Sequence, residues 1–178
     1  ISGLPSNRVI GSGTVLDISR FRYLVGENCG VEGRNVHAYI IGEHGDSEVA
    51  AWSLANIAGI GIENYCPICK NVCDRNQKYR LFEEVRDSAY KIIEKKGATY
   101  YAVALAVRRI VQSILRNENS ILTVSSLMKG YYGVEDVCLS LPTIVNRKGV
   151  KQVLELSLEE REIKLFQESA QKMRQVLD

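Results

Sequence analysis

The chain has 178 residues, 46% apolar and 25% charged, which suits one domain with a substantial buried core. Its net charge of +2 gives no electrostatic case for nucleic acid or an anionic membrane surface, and no apolar run approaches the roughly 18 residues of a membrane-spanning helix. The chain opens at Ile1 with neither an initiator Met nor a signal-peptide pattern, so it is expected to be part of a longer protein.

Residues 12–29 are expected to form a helix with an apolar stripe of Val15, Ile18, Phe21, Leu24 and Val25, ending near Gly30. Val36 to Ile41 alternates as a strand in which His37, Tyr39 and Ile41 share one face. It leads into Gly42-Glu43-His44-Gly45-Asp46, a histidine turn flanked by glycines that allow positive φ and close approach to a ligand. Val49 to Ala58, with the only Trp, Trp52, is expected as a short helix broken by Gly59 and Gly61. A long helix over residues 76–96 turns Leu81, Phe82, Val85, Ala89, Ile92 and Ile93 to the core and stops at Gly97. Thr99 to Arg116 is apolar on most sides, the pattern of a buried helix. Residues 121–145 alternate as strands around a turn at Gly130 to Gly133, and Asn146 to Gly149 forms another turn. Ser157 and Glu160 have capping-box spacing for a last helix striped by Ile163, Phe166, Ala170, Met173 and Leu177. Helices mixed with an antiparallel sheet make an α+β fold, a single domain over residues 1–178.

The five Cys are Cys29, Cys66, Cys69, Cys73 and Cys138, an odd number in a chain of cytosolic character, which favours reduced thiols. Cys66, Cys69 and Cys73 form a C-x2-C-x3-C cluster without a fourth ligand nearby, so no bound metal is expected. No G-x-G-x-x-G occurs: Gly11-Ser12-Gly13 is followed by Leu16, and Gly59-Ile60-Gly61 by Asn64, where the third glycine would stand. This chain therefore carries no dinucleotide-binding fingerprint of its own.

His44 can serve as a proton-transfer group, since the unperturbed histidine pKa lies near neutrality; alone, it also fits a plain polar turn. Asp17 and Arg20 are three residues apart and share a helix face. Asp17 can accept an imidazole N–H and Arg20 can grip a carboxylate in a two-pronged fork, although such a pair is often only a surface ion pair. Arg22 lies about 140° around the helix from Asp17 at about 100° per residue, so it serves a different surface. By strand position, His37 is likewise separate from His44.

Leu16-Asp17-x-x-Arg20-Phe21-Arg22 followed by Gly42-Glu43-His44-Gly45-Asp46-Ser47 resembles the C-terminal half of the lactate/malate dehydrogenase family. Further stretches match the lactate branch: Ser2-Gly3-Leu4-Pro5, Arg8 to Thr14, Ala51-Trp52-Ser53, Ala58-Gly59, Lys96 to Thr99 and Lys129 to Gly133. The resemblance implies a cytoplasmic, homotetrameric, NAD-dependent oxidoreductase that interconverts L-lactate and pyruvate in fermentative glycolysis, with its dinucleotide-binding Rossmann domain upstream and outside this chain. It assigns His44 as proton acceptor and donor, Asp17 as its orienting carboxylate and Arg20 as the substrate-carboxylate ligand. Ile18 and Ser19 fall within the substrate-binding segment, where they replace a smaller pair common in the family. Thr99 matches a position lining the substrate pocket, and Ser12 one near the nicotinamide. Arg22 and His37 match a pair that binds fructose 1,6-bisphosphate across a subunit interface in many bacterial members.

Malate dehydrogenase activity remains an alternative, because the segment that separates lactate from malate lies outside this chain. A non-catalytic oligomerisation or anion-binding module is a third, should no dinucleotide fold precede it.

Overall fold

The structure, a computed structural model, describes residues 2–69 and 74–177. Helix α1 (Val15–Cys29) starts where the Thr14 hydroxyl donates to the Ile40 carbonyl at 2.6 Å, and it ends at Gly30 in the left-handed region, φ 70°. Short strands follow: β1 (Val36–His37), β2 (Ile40–Ile41), β3 (Val49–Ala50), β4 (Asn56–Ile57) and β5 (Ile60–Gly61). Then come α2 (Ile62–Cys69), α3 (Arg75–Lys96) and α4 (Tyr101–Arg116). The chain closes with β6 (Ser120–Leu122), β7 (Ser125–Tyr131), β8 (Val134–Ser140), β9 (Thr143–Asn146), β10 (Gly149–Val153) and α5 (Glu160–Leu177).

Every strand pairing is antiparallel, in the orders β1-β4-β5, β10-β9-β6, β2-β3 and β7-β8. Bridges between Gly11 and Ser125 and between Gly42 and Ser140 tie the loops before α1 and after β2 to the β7–β8 ribbon. This is the expected α+β architecture. Among the described residues, three apolar clusters fill it. One packs Ile18, Phe21 and Val25 of α1 against Val36, Ile57, Ile62, Leu81 and Val85. Another packs Phe166 and Ala170 of α5 on Met128, Val137 and Leu139. A third joins Val15 to Ala106 and Ile110 of α4 and to Val124 and Val145. Helix α1 reaches two of the three, so its polar face is held rigidly.

Several expectations are corrected. Val36 to Ile41 is two strands in separate sheets, and Ile41 is buried in the second cluster instead of sharing a face with exposed His37. Beyond exposed His37 the segment crosses between two cores, so both of its sides become covered. Val49 to Ala58 is not a helix but β3, a 3-10 turn at Trp52–Leu54, and β4, which turns into β5 through Ala58 (φ 53°) and Gly59 (φ 81°). Two successive positive φ values suit a two-residue hairpin, and pairing with β1 outweighs a spacing that fits either structure. Trp52 packs edge-on against Phe21, with ring centroids 4.8 Å apart.

Helix α3 buries Leu81 and Val85, while Ile93 near its other end is exposed. Helix α4 is one-sided: Ala106, Ile110 and Ser113 are buried, whereas Val103, Leu105, Val107, Val111 and Leu115 are exposed. Helix α5 begins at Glu160, and the reaching carboxylate is that of Glu162, which accepts the Glu159 N–H at 3.1 Å, so the Ser157/Glu160 box does not form. Glu162 is drawn inward because it also accepts the N–H and hydroxyl of Ser53. Cys66 is disulfide-bonded rather than reduced. Cys73 and the Cys69 side chain lie outside the described residues. Cys138 is a free, exposed thiol.

Candidate active site

Asp17 stands in the first turn of α1 with its side chain turned inward and almost wholly buried. The anchoring of Thr14 on β2 fixes where this carboxylate meets the chain leaving β2. That chain is the histidine turn. Gly42 exchanges two backbone hydrogen bonds with Ser140, at 2.9 and 2.8 Å, and takes φ 91°. A Cβ on Gly42 would lie 2.9 Å from the Ser169 hydroxyl, so both conformation and space require glycine there. Gly45 does not adopt positive φ, so only the first of the two flanking glycines uses that freedom.

Two other elements hold the turn. From α5, the Ser169 hydroxyl accepts the Glu43 N–H at 2.9 Å and lies 3.2 Å from the Ser47 hydroxyl, which also donates to the Glu43 carboxylate. From α3, Arg86 donates to the Asp46 carbonyl at 3.5 Å and the Tyr90 hydroxyl to the Asp46 carboxylate at 3.3 Å.

The two segments meet at His44. Its Nδ1 lies 2.6 Å from Asp17 Oδ2. A carboxylate can only accept, so Nδ1 carries the proton and Nε2 is left for another partner. Among the described residues Nε2 has none. Asp17 Oδ1 lies 3.8 Å from Arg20 Nη1, which places the carboxylate between an imidazole and a guanidinium. The bond to Asp17 raises the His44 pKa, and burial of the ring opposes this only in part. The buried anion thus favours imidazolium. A site of this kind can move one proton at Nε2 and bind one anion on the side of Arg20.

A third acid completes the cluster. Glu48, just before β3, is buried, and one donor atom each of Asp17, His44 and Glu48 falls within 4.8 Å of the others. Burial, then the Asp17 charge, pushes its carboxyl up to about 8. Glu48 was not singled out from the sequence; its one signal was an acid directly before the apolar stretch Val49 to Ala51. Those three donors are close enough to share a cation, but the hydrogen bond between Asp17 and His44 already occupies the Nδ1 edge.

The remaining expected residues fall elsewhere. Ile18 points into the first apolar cluster, and the Ser19 hydroxyl donates back to the Val15 carbonyl at 3.1 Å. Thr99 lies in the short α3–α4 connection and Ser12 in the turn before α1; among the described residues neither side chain hydrogen-bonds to the Asp17–His44 pair. Gly11 pairs with Ser125, and a Cβ on Gly13 would meet Ser125 N, Thr123 O and Ser140 Oγ at 2.6 Å. These glycines serve close packing and do not frame a phosphate cradle. On another side of α1, Arg22 Nε donates to the Ala38 carbonyl at 3.2 Å and its guanidinium lies 5.8 Å from the Tyr39 ring centroid. His37, at the end of β1, is exposed.

Residues 14–178 match the family model for the lactate/malate dehydrogenase alpha/beta C-terminal domain. Similar curated proteins include the L-lactate dehydrogenases of Thermoanaerobacterium saccharolyticum and Thermoanaerobacter sp. (strain X514), 61% and 59% identical over 177 residues. L-lactate dehydrogenase 1 of Clostridium acetobutylicum is 54% identical over 178 residues. These alignments take in 99%, 99% and 100% of this chain but only 57% of each relative. The crystal structure of the minor L-lactate dehydrogenase from Enterococcus mundtii, in a ligand-bound form, matches with a TM-score of 0.94 at 42% identity, covering 99% of this chain and 56% of that one. With its Asp-x-x-Arg helix and Gly-Glu-His-Gly-Asp turn brought together in that fold, the chain belongs to the lactate/malate dehydrogenase family and carries its alpha/beta C-terminal domain.

Proposed function

We propose that this chain is the substrate-binding and catalytic half of an NAD-dependent enzyme that interconverts L-lactate and pyruvate. The observation that carries the reading is the 2.6 Å bond between His44 Nδ1 and buried Asp17, with Arg20 beside it. The names of similar curated proteins supply the substrate.

In lactate oxidation, neutral His44 accepts the hydroxyl proton at Nε2 while Asp17 keeps Nδ1 protonated and stabilises the imidazolium that forms. In the reverse direction the imidazolium polarises the pyruvate carbonyl and returns the proton. Arg20 binds the substrate carboxylate through a planar fork that leaves the reacting carbon near His44. Thr99 lines the pocket at the methyl end. Nicotinamide supplies the hydride acceptor when bound. The glycines of this chain do not fit a dinucleotide cradle, so NAD is assigned to a Rossmann domain upstream, with Ser12 at its rim.

The same proposal makes the protein a homotetramer with Arg22 and His37 as a fructose 1,6-bisphosphate site. Its support is that Arg22 has no acidic partner among the described residues: a carbonyl and an aromatic ring hold it, and its charge is uncompensated. Steady-state assays of the full-length protein with NADH test the activity. Pyruvate is expected to give a higher kcat/KM than oxaloacetate; the opposite order assigns the malate branch, and turnover of neither removes the enzyme reading.

A further inference from the structure

Proton transfer at His44 accounts for Asp17 but leaves Glu48 without a task. We propose that Glu48 is a positioning residue of the His44–Asp17 pair, whose buried carboxyl sets the net charge behind the imidazole and thereby the pH range over which His44 keeps its proton.

The geometry is specific. Glu48 is only 6% exposed, and its Oε1 is buried without a hydrogen-bond partner among the described residues. A solvated surface acid would leave neither feature. Its donor atom lies within 4.8 Å of those of Asp17 and His44, so a change of charge on Glu48 reaches the imidazole through the protein interior. The groups facing it are Asp17 and Arg20 from α1, His44 from the turn and Arg86 from α3. From α5, Glu162, Glu168 and Lys172 line the same cleft.

Held at about 8, the Glu48 carboxyl is mostly protonated at neutrality, and Asp17 alone then faces the imidazolium. Above that range Glu48 releases its proton to solvent. The second negative charge strengthens the grip of His44 on its own proton. The imidazolium in turn eases ionisation of Glu48, so the two groups titrate as a pair over a broadened range. For pyruvate reduction, which needs imidazolium, this extends the alkaline limb of the rate profile. That consequence rests on the lactate dehydrogenase reading; the titration itself does not.

Histidine NMR on the full-length protein, with the signal assigned by its loss in His44→Gln, gives the first test. In Glu48→Gln the His44 midpoint is expected to fall by about half a pH unit or more and the curve to sharpen to one proton, while Glu48→Asp recovers part of the shift. The second readout is kcat/KM for pyruvate, whose ratio between pH 9 and pH 6.5 should drop about threefold in Glu48→Gln. An unmoved His44 midpoint overturns the proposal. A moved midpoint in a protein that turns over no pyruvate supports it and removes the activity reading instead.

Discussion

Two arginines on α1 sit in contrasting surroundings. Arg20 lies beside the buried Asp17 carboxylate, 3.8 Å away, in a cluster that also holds His44 and Glu48. Arg22, two residues on, turns to the opposite side, where the Ala38 carbonyl and the Tyr39 ring hold it and no carboxylate among the described residues neutralises it. Burial lowers its pKa, but guanidinium starts so high that it stays charged. The comparison shows how one helix can present two anion-seeking groups without mixing them. On the first side, charge is balanced internally beside an arginine that can take up an anion. On the second, a cation is oriented but uncompensated, which suits a separate anionic ligand.

The sharpest way to break this comparison is to remove the balanced side. In the full-length protein, His44→Ala or Asp17→Asn is expected to lower kcat/KM for pyruvate by about 10²–10⁴-fold, the scale for loss of a positioned acid–base group. Near wild-type rates in both variants would remove the catalytic assignment. Arg20→Lys tests the fork: an ammonium keeps the charge but not the two parallel bonds, so kcat/KM is expected to fall by about tenfold or more. A loss no larger than twofold would show that Arg20 acts only as a charge.

Arg22→Gln probes the other side. If Arg22 belongs to the proposed effector site, any shift that fructose 1,6-bisphosphate makes in the pyruvate saturation curve is expected to disappear, because an effector acts only through differential affinity for two states. An equal response in wild type and variant would detach Arg22 from regulation.

The smallest expected effect is on stability. Glu48 is raised from an ordinary 4.5 to about 8 in the folded chain, so between those values the folded state keeps a proton that the unfolded state has lost. Its contribution to stability is therefore greatest below about pH 4.5 and declines as pH rises through about 8. Glu48→Gln removes that decline. Its thermal midpoint is expected to exceed wild type by about 4 °C or more at pH 8, with a smaller gain at pH 5. Equal gains at both pH values would show that the effect is packing and not charge.

The turn carrying His44 was legible because glycine and histidine in that order have a narrow meaning after an apolar strand. The helix around Asp17 was legible because its stripe of Val15, Ile18, Phe21 and Val25 repeats at the helical period and is buried as such. Val49 to Ala58 is ambiguous along the chain because its eight apolar residues in ten fit a helix and paired strands about equally well. Thr99 to Arg116 was overread as buried because an apolar count says how greasy a helix is, but not how many of its sides find partners. Glu48 escaped notice because an acid two residues beyond Asp46 looks like one more turn residue until its surroundings are known.

Local order was thus already written along the chain: which residues share a helix face, where glycine must bend the backbone, and that Asp17 and Arg20 point together while Arg22 points away. Those properties depend on spacing over a few residues, and a period of about 3.6 carries them. The meeting of Asp17 with His44, the enclosure of Glu48 and the pinning of the histidine turn by Ser169, Arg86 and Tyr90 depend on α1, α3 and α5 arriving at one place. Burial and charge coupling are properties of that convergence, because the free energy of an ionised group is set by every element that excludes water from it.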